Sequence, residues 1–183
     1  MKKQLRAIGV CLSLLASAGV AQAAERKDLA IAHEVAAAVN DYAQFTIFDD
    51  VSVRVDNGVV TLDGKVTMPY KRTDIEKIAA RVDGVKETSN RIAVLPASKA
   101  DDDLRFQLAR SIYGNSNFWD YAATRNPPIH IIVDHGRVTL TGVVRSEVDR
   151  MLARSLATQF GVFSVTNNLK TDAELRHTSE ESD

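Results

Sequence analysis

Two stretches decide the fold: Val51–Val66, VSVRVDNGVVTLDGKV, and Ile129–Val144, IHIIVDHGRVTLTGVV. Set 78 residues apart, they are identical at eight of sixteen positions: Val55/Val133, Asp56/Asp134, Gly58/Gly136, Val60/Val138, Thr61/Thr139, Leu62/Leu140, Gly64/Gly142 and Val66/Val144. Further on the offset narrows to 77, where Gly84-Val85 matches Gly161-Val162, Asn90 matches Asn167 and Ile92 matches Leu169. The chain therefore holds a tandem duplication with one residue lost in the second copy. A period this long means successive domains, because solenoid units are shorter.

Each copy reads as a hairpin between helices. Val51, Val53 and Val55 alternate with Ser52 and Arg54, the pattern of a half-buried strand. Asp56-Asn57-Gly58 is a tight-turn signal, since Asn and Gly tolerate positive φ, and Val60 and Leu62 continue the return strand. In the second copy Ile129, Ile131 and Val133 alternate, Asp134-His135-Gly136 turns, and Val138 and Leu140 return, which puts His130 on the open face of the sheet.

Helical spacing precedes the first hairpin at Leu29, Ala32, Val35/Ala36 and Val39, and follows it at Ile75, Ile78, Ala79 and Val82. Leu104, Leu108 and Ile112, then Val148, Leu152 and Leu156, do the same in the second copy. Short third strands fall at Ile92 and Val94 and at Leu169 and Thr171. The expected class is α+β: two tandem α-β-β-α-β modules, each a three-stranded sheet with two helices on one face. The first module is expected over residues 26–96 and the second over 101–172, joined by a linker at 97–100 and followed by an acidic flexible tail at 173–183.

The first residues carry an export signal. Lys2, Lys3 and Arg6 precede an apolar run from Ala7 to Gly19, and Ala21-Gln22-Ala23 is a small-x-small cleavage site, so residues 1–23 are expected to be removed. The rival, an uncleaved anchor, is weakened by Gly9, Ser13, Ser17, Gly19 and Gln22. Cys11, the only cysteine, lies inside this signal with Val10 and Ile8 where a lipoprotein signal needs a small residue and a leucine. The mature chain then has neither disulfide nor thiolate metal site. Hydrophobic residues make up 45% and charged residues 26%, an ordinary globular composition. Loss of the three signal cations takes the net charge from −1 to −4, which argues against a nucleic-acid partner.

The pattern hydrophobic-x-V-x-[DN]-G-x-V-x-L-x-G-x-V, followed by a helix and G-V-x-x-[VT]-x-N-x-[IL], resembles the BON domain. It is carried by Val53–Val66 with Gly84–Ile92, and, with His135 standing at the [DN] position, by Ile131–Val144 with Gly161–Leu169. The resemblance implies a periplasmic or outer-membrane-associated protein that binds phospholipid or assists envelope proteins, with no catalytic residues. Gly58, Gly64, Gly84 and Asn90, with Gly136, Gly142, Gly161 and Asn167, carry over as fold determinants. Lipidated relatives place membrane contact on a helix of the second domain, and this chain lacks their acylated cysteine.

Only the second copy has an insertion, around Asn115–Pro128, containing Phe118, Trp119 and Tyr121. Aromatics of this kind suit membrane interfaces and protein contacts, or else cap a core. Lys71, Arg72 and Lys77 surround the start of one helix and Arg145, Arg150 and Arg154 its counterpart, with Arg150 and Arg154 four apart on one face. They are a candidate headgroup patch, but read better as a solvated face beside Asp74, Glu76, Glu147 and Asp149. Asp49-Asp50 and Asp101 to Asp103 fit cap and turn chemistry. His33, His130, His135 and His177 are scattered, so no metal or other cofactor is expected. No nucleophile elbow or phosphate loop points to an enzyme.

The expectation is a periplasmic binding protein for anionic phospholipid or envelope proteins, in envelope integrity or osmotic stress protection, with peripheral membrane contact at most. The alternative is a chaperone-like or scaffold protein acting through protein contacts, for instance by sheet-edge pairing. Oligomeric state is left open. N-terminal sequencing of the exported protein should begin at Ala24; a start at Met1 would contradict cleavage.

Overall fold

The computed structural model describes residues 15–180, with side chains described from Lys27 to His177. Residues 1–14 of the expected signal, Cys11 included, lie outside the described residues, as do 181–183. The first repeat runs α1 (Leu15–Asn40), β1 (Asp50–Asp56), β2 (Val59–Val66), α2 (Pro69–Ala79) and β3 (Glu87–Val94). The second opens with α3 (Lys99–Tyr113), a 3-10 turn (Ser116–Phe118) and the short α4 (Trp119–Ala122). It continues through β4 (Ile129–Asp134), β5 (Arg137–Val144), α5 (Glu147–Ala157), β6 (Ser164–Asn167) and β7 (Lys170–Thr171) to α6 (Asp172–Glu180).

In each sheet the hairpin's return strand is central: β2 is antiparallel to β1 and parallel to β3, and β5 is antiparallel to β4 and parallel to β6 and β7. Val53 stands opposite Leu62 and Val55 opposite Val60, so one face of the first sheet gathers its branched side chains against Val35, Val39, Ile75 and Ala79 of the helices. The second core repeats this with Leu108, Ile112, Ile131, Leu140, Ala153 and Ala157. Its third strand is broken into β6 and β7, and the Asn168 N–H at the break still donates to the Leu140 carbonyl (2.8 Å).

Both hairpins turn through a residue at φ 52°, Asn57 and His135, followed by a glycine, the backbone of a type I′ turn. A helix carboxylate stabilises each. Asp28 accepts from the N–H groups of Asn57 (2.6 Å) and Gly58 (3.0 Å), and Asp101 accepts from those of His135 and Gly136 (both 2.9 Å). Gly64 and Gly142 serve a different need, since a Cβ on either would lie 2.0 Å or less from a carbonyl oxygen of the adjoining chain, Asp50 and Pro128 respectively.

Several inward-facing assignments differ from the helical pattern. Leu29 is exposed and Ile31 is buried in its place, while Val148 is exposed and α5 presents Ala153 and Ala157 to the core. The expected linker already contains the N-cap of α3, where Ser98 Oγ accepts from Asp101 N–H (3.2 Å). The expected tail begins as a helix because Thr171 and Glu174 form a capping box: Glu174 accepts from Thr171 N–H (2.8 Å), and Thr171 Oγ1 accepts from Glu174 N–H (3.3 Å).

The largest correction concerns Lys71, read as solvated but only 4% exposed. Its ammonium lies 2.6 Å from the carboxylate of Asp49, which is fully buried. Asp49 also accepts from the N–H and hydroxyl of both Thr46 and Thr67, at 2.8–2.9 Å. A buried ion pair survives only when its remaining bonding capacity is met in this way. The carboxylate thereby ties residues 46–49 to the end of β2 and the start of α2.

That loop holds the second module. Ile47 C=O accepts from Ile131 N–H (2.6 Å), and the Asp49 carbonyl accepts from His130 Nδ1–H. Phe48 packs on the second core and meets Phe106 edge-on at 5.4 Å. Lys65 reaches Asp134 at 2.7 Å, holding that carboxyl below the usual carboxylate range, with His135 adding to the effect. The face carrying His130, expected to be open, is therefore partly covered, and Ile132 on the same face is 4% exposed. The outer edge of β4 is also closed. Tyr113 Oη accepts from Ile129 N–H and donates to Ile129 C=O, and the Arg105 guanidinium donates to Val133 C=O (2.6 Å).

Removing one partner of the buried pair leaves an uncompensated charge, so Lys71→Met should cost about 3–5 kcal/mol in urea denaturation. Arg54→Ala, at the exposed Arg54–Asp63 pair, should cost under about 1 kcal/mol. Equal small losses would contradict the buried network.

Candidate functional site

The insertion splits by role. Phe118 (0% exposed) and Tyr121 (7%) fill the second core, their rings 5.5 Å apart, while Trp119 is 62% exposed. Tyr121 Oη donates to Asp149 (2.8 Å) and accepts from Arg145 N–H (2.8 Å), and the Arg145 guanidinium lies 4.6 Å from its ring centroid. Burial pushes the Tyr121 hydroxyl's pKa up. Of the three aromatics, Trp119 alone has a large surface to offer a ligand.

The two arginines also part company. Arg150 pairs with Glu147 on its own helix and with Glu174 (2.8 Å), and the second of these bonds holds α5 to the start of α6. Arg154 has no ion pair among the described residues and is exposed. Asn167, the motif asparagine, donates to Arg150 C=O (2.9 Å) and accepts from Leu169 N–H (3.3 Å). Asn90 makes the same two bonds with Arg72 C=O and Ile92 N–H, so in each copy it ties the third strand to the preceding helix.

An apolar surface not anticipated from periodicity lies beyond α5. Phe160 is 99% exposed and Phe163 77%, with Met151 and Val148 exposed on α5. Arg137 stands 5.2 Å from the Phe163 ring centroid. Phe163 N–H donates to Gly136 C=O (2.8 Å), just as Lys86 N–H donates to Gly58 C=O in the first copy. The same seat against the hairpin thus holds a lysine in one module and a phenylalanine in the other. By the 77-residue offset Phe160 likewise stands where the first copy has Asp83. From Arg150 to Thr171 there is no acidic residue. A position-by-position comparison of the copies was the signal that could have revealed this surface.

A second apolar feature is a groove of about 530 Å³ at the module junction, lined by Ile47, Phe106, Ala109, Arg110, Tyr113, Gly114, Ala122 and Pro127. Ile47 comes from the first module, the rest from α3 and the insertion. Trp119 Nε1–H donates to Gly114 C=O (3.4 Å) at its rim.

Comparison with known proteins bears on both modules at once. The BON domain model matches residues 27–96 and again 101–173. The chain belongs to the BON domain family. Osmotically-inducible protein Y of Escherichia coli (strain K12) is 32% identical, over 79% of this chain and 72% of its own. A second relative, the uncharacterized protein in the gshII 5′ region of Anaplasma centrale, is 31% identical over 57% of this chain and 69% of its own. Among solved structures, the C-terminal domain of CdsD, a structural protein of the type III secretion system of Chlamydia trachomatis, aligns at a TM-score of 0.33 and 15% identity. That match covers 78% of this chain and 65% of the other, and at this score it carries no argument. Among the described residues of this BON protein no group of three or more His, Asp or Glu could hold a metal ion, and no helix is long and apolar enough to cross a membrane.

The two neighbours in the insertion should respond differently to truncation. Phe118→Ala should cost about 3–5 kcal/mol in denaturant unfolding, and Trp119→Phe should stay within about 0.5 kcal/mol. Comparable losses would contradict the division between core and surface.

Proposed function

We propose that this is an exported, periplasmic BON protein that binds without catalysis to the surface of anionic phospholipid membranes, through its second module. The observation that carries the reading is the protruding pair Phe160 and Phe163, with Arg137 over the Phe163 ring and Arg154 six residues before Phe160 in a stretch, Arg150 to Thr171, that is free of carboxylates. Large apolar side chains that no part of the fold covers mark an interaction surface. Phenyl rings gain free energy by entering the boundary between headgroups and acyl chains, and each adjacent cation adds about 1 kcal/mol near an anionic leaflet. Arg137, held at the Phe163 ring, keeps its charge beside the inserting group. The export signal supports a periplasmic site of action, and the similarity to osmotically-inducible protein Y supports a role in osmotic stress at the envelope.

The first module contributes differently. Asp83 and Lys86 make its equivalent surface polar, so it serves to hold the second module in a fixed attitude through the 46–49 loop.

The direct test restores the first copy's residues in the second: Phe160→Asp with Phe163→Lys. Flotation of mature protein with phosphatidylglycerol vesicles should fall at least about tenfold in the double variant. Wild-type binding should weaken as salt rises, because the arginine attraction is screened. Equal flotation of variant and wild type would overturn the membrane reading and leave protein partners as the use of this surface.

A further inference from the structure

We infer that the groove at the module junction is a binding site for one single-chain aliphatic carboxylate. Its volume, about 530 Å³, lies within the range of small-molecule pockets, and Ile47, Phe106, Ala109 and Pro127 give it apolar walls. The polar features are few. Tyr113 spends its hydroxyl on both backbone groups of Ile129, and the Gly114 carbonyl takes the Trp119 indole N–H. Arg110 is the only charged side chain in the lining, and it has no ion pair among the described residues. An open apolar groove with one arginine that has no ion pair in its lining complements an apolar chain that ends in one anion, and a guanidinium meets a carboxylate with two parallel hydrogen bonds.

The first copy has no equivalent of the α3 side of this site. By the 73-residue offset that matches Asp28 with Asp101, the places of Phe106, Arg110 and Tyr113 are held in the first copy by His33, Ala37 and Asn40. Two further walls, Ala122 and Pro127, come from the segment between α3 and β4, which is five residues longer than its first-copy counterpart. The insertion therefore does more than cover the core: Phe118 and Tyr121 anchor it inward while its other side completes the groove. Because Ile47 comes from the other module, an occupant touches both modules and strengthens their junction.

Mature protein, without vesicles, would be titrated with laurate below its micelle concentration and separately with dodecanol, following heat and Trp119 emission. Laurate should saturate one site per chain, at least tenfold tighter than dodecanol. Arg110→Gln, an exposed change whose folding is checked by its urea midpoint, should lower laurate affinity to that of dodecanol and leave dodecanol unchanged. The Phe160→Asp, Phe163→Lys variant should bind laurate as wild type does, which separates this site from the membrane-facing loop. Absence of saturable binding, equal laurate affinity in Arg110→Gln, or loss of laurate binding in the loop variant would each overturn the assignment.

Discussion

The buried carboxylate of Asp49 is the point on which the arrangement turns. A charge removed from water must be met on every side, and here five donors from Thr46, Thr67 and Lys71 meet it. The consequence is positional. Residues 46–49 would otherwise be a free connection between α1 and β1; instead they are bound to the far end of β2 and to α2. Their outward side then presents the carbonyls of Ile47 and Asp49 to β4 and the Phe48 ring to the second core. One satisfied ion pair in the first module thus fixes the seat of the second.

From that seat follows an inequality between two copies of one scaffold. Both have the same strand order, the same glycine-assisted turn under a helix carboxylate, and the same asparagine between third strand and second helix. Their surfaces diverge. The loop after the second helix carries Asp83 and Lys86 in one copy and Phe160 and Phe163 in the other. The face of α3 is completed into a groove by an insertion the first copy lacks. Duplication supplied the framework twice, and Phe160 and Phe163, the most exposed large apolar side chains among the described residues, belong to the second copy.

The scaffold was legible in the sequence because alternation, turn residues and a repeated glycine pattern are local signals, and the duplication doubled each of them. Burial along the helices was less legible. Leu29 and Val148 are apolar yet exposed, since the sheet selects the helix face that fits its surface, and Ile31, Ala153 and Ala157 fit it better. Lys71 was misread for a stronger reason: nothing near it in sequence announces Asp49, 22 residues away across the β1–β2 hairpin. The candidate site was half legible. The pattern left the insertion's aromatics open between surface and core; Trp119 is on the surface, as Arg154 is, but Phe118 and Tyr121 are core and Arg150 is held by Glu147 and Glu174. Phe160 and Phe163 break no periodic pattern, so only comparison with Asp83 and Lys86 sets them apart.

The central claim, that the second module alone faces the membrane, is tested most directly by amide hydrogen exchange of the mature protein with and without phosphatidylglycerol vesicles. Slowed exchange confined to residues 158–163 and the adjoining end of α5, with the first module unchanged, is the predicted result. Protection centred on the first module, or no change at 158–163 while the protein is vesicle-bound, would contradict it.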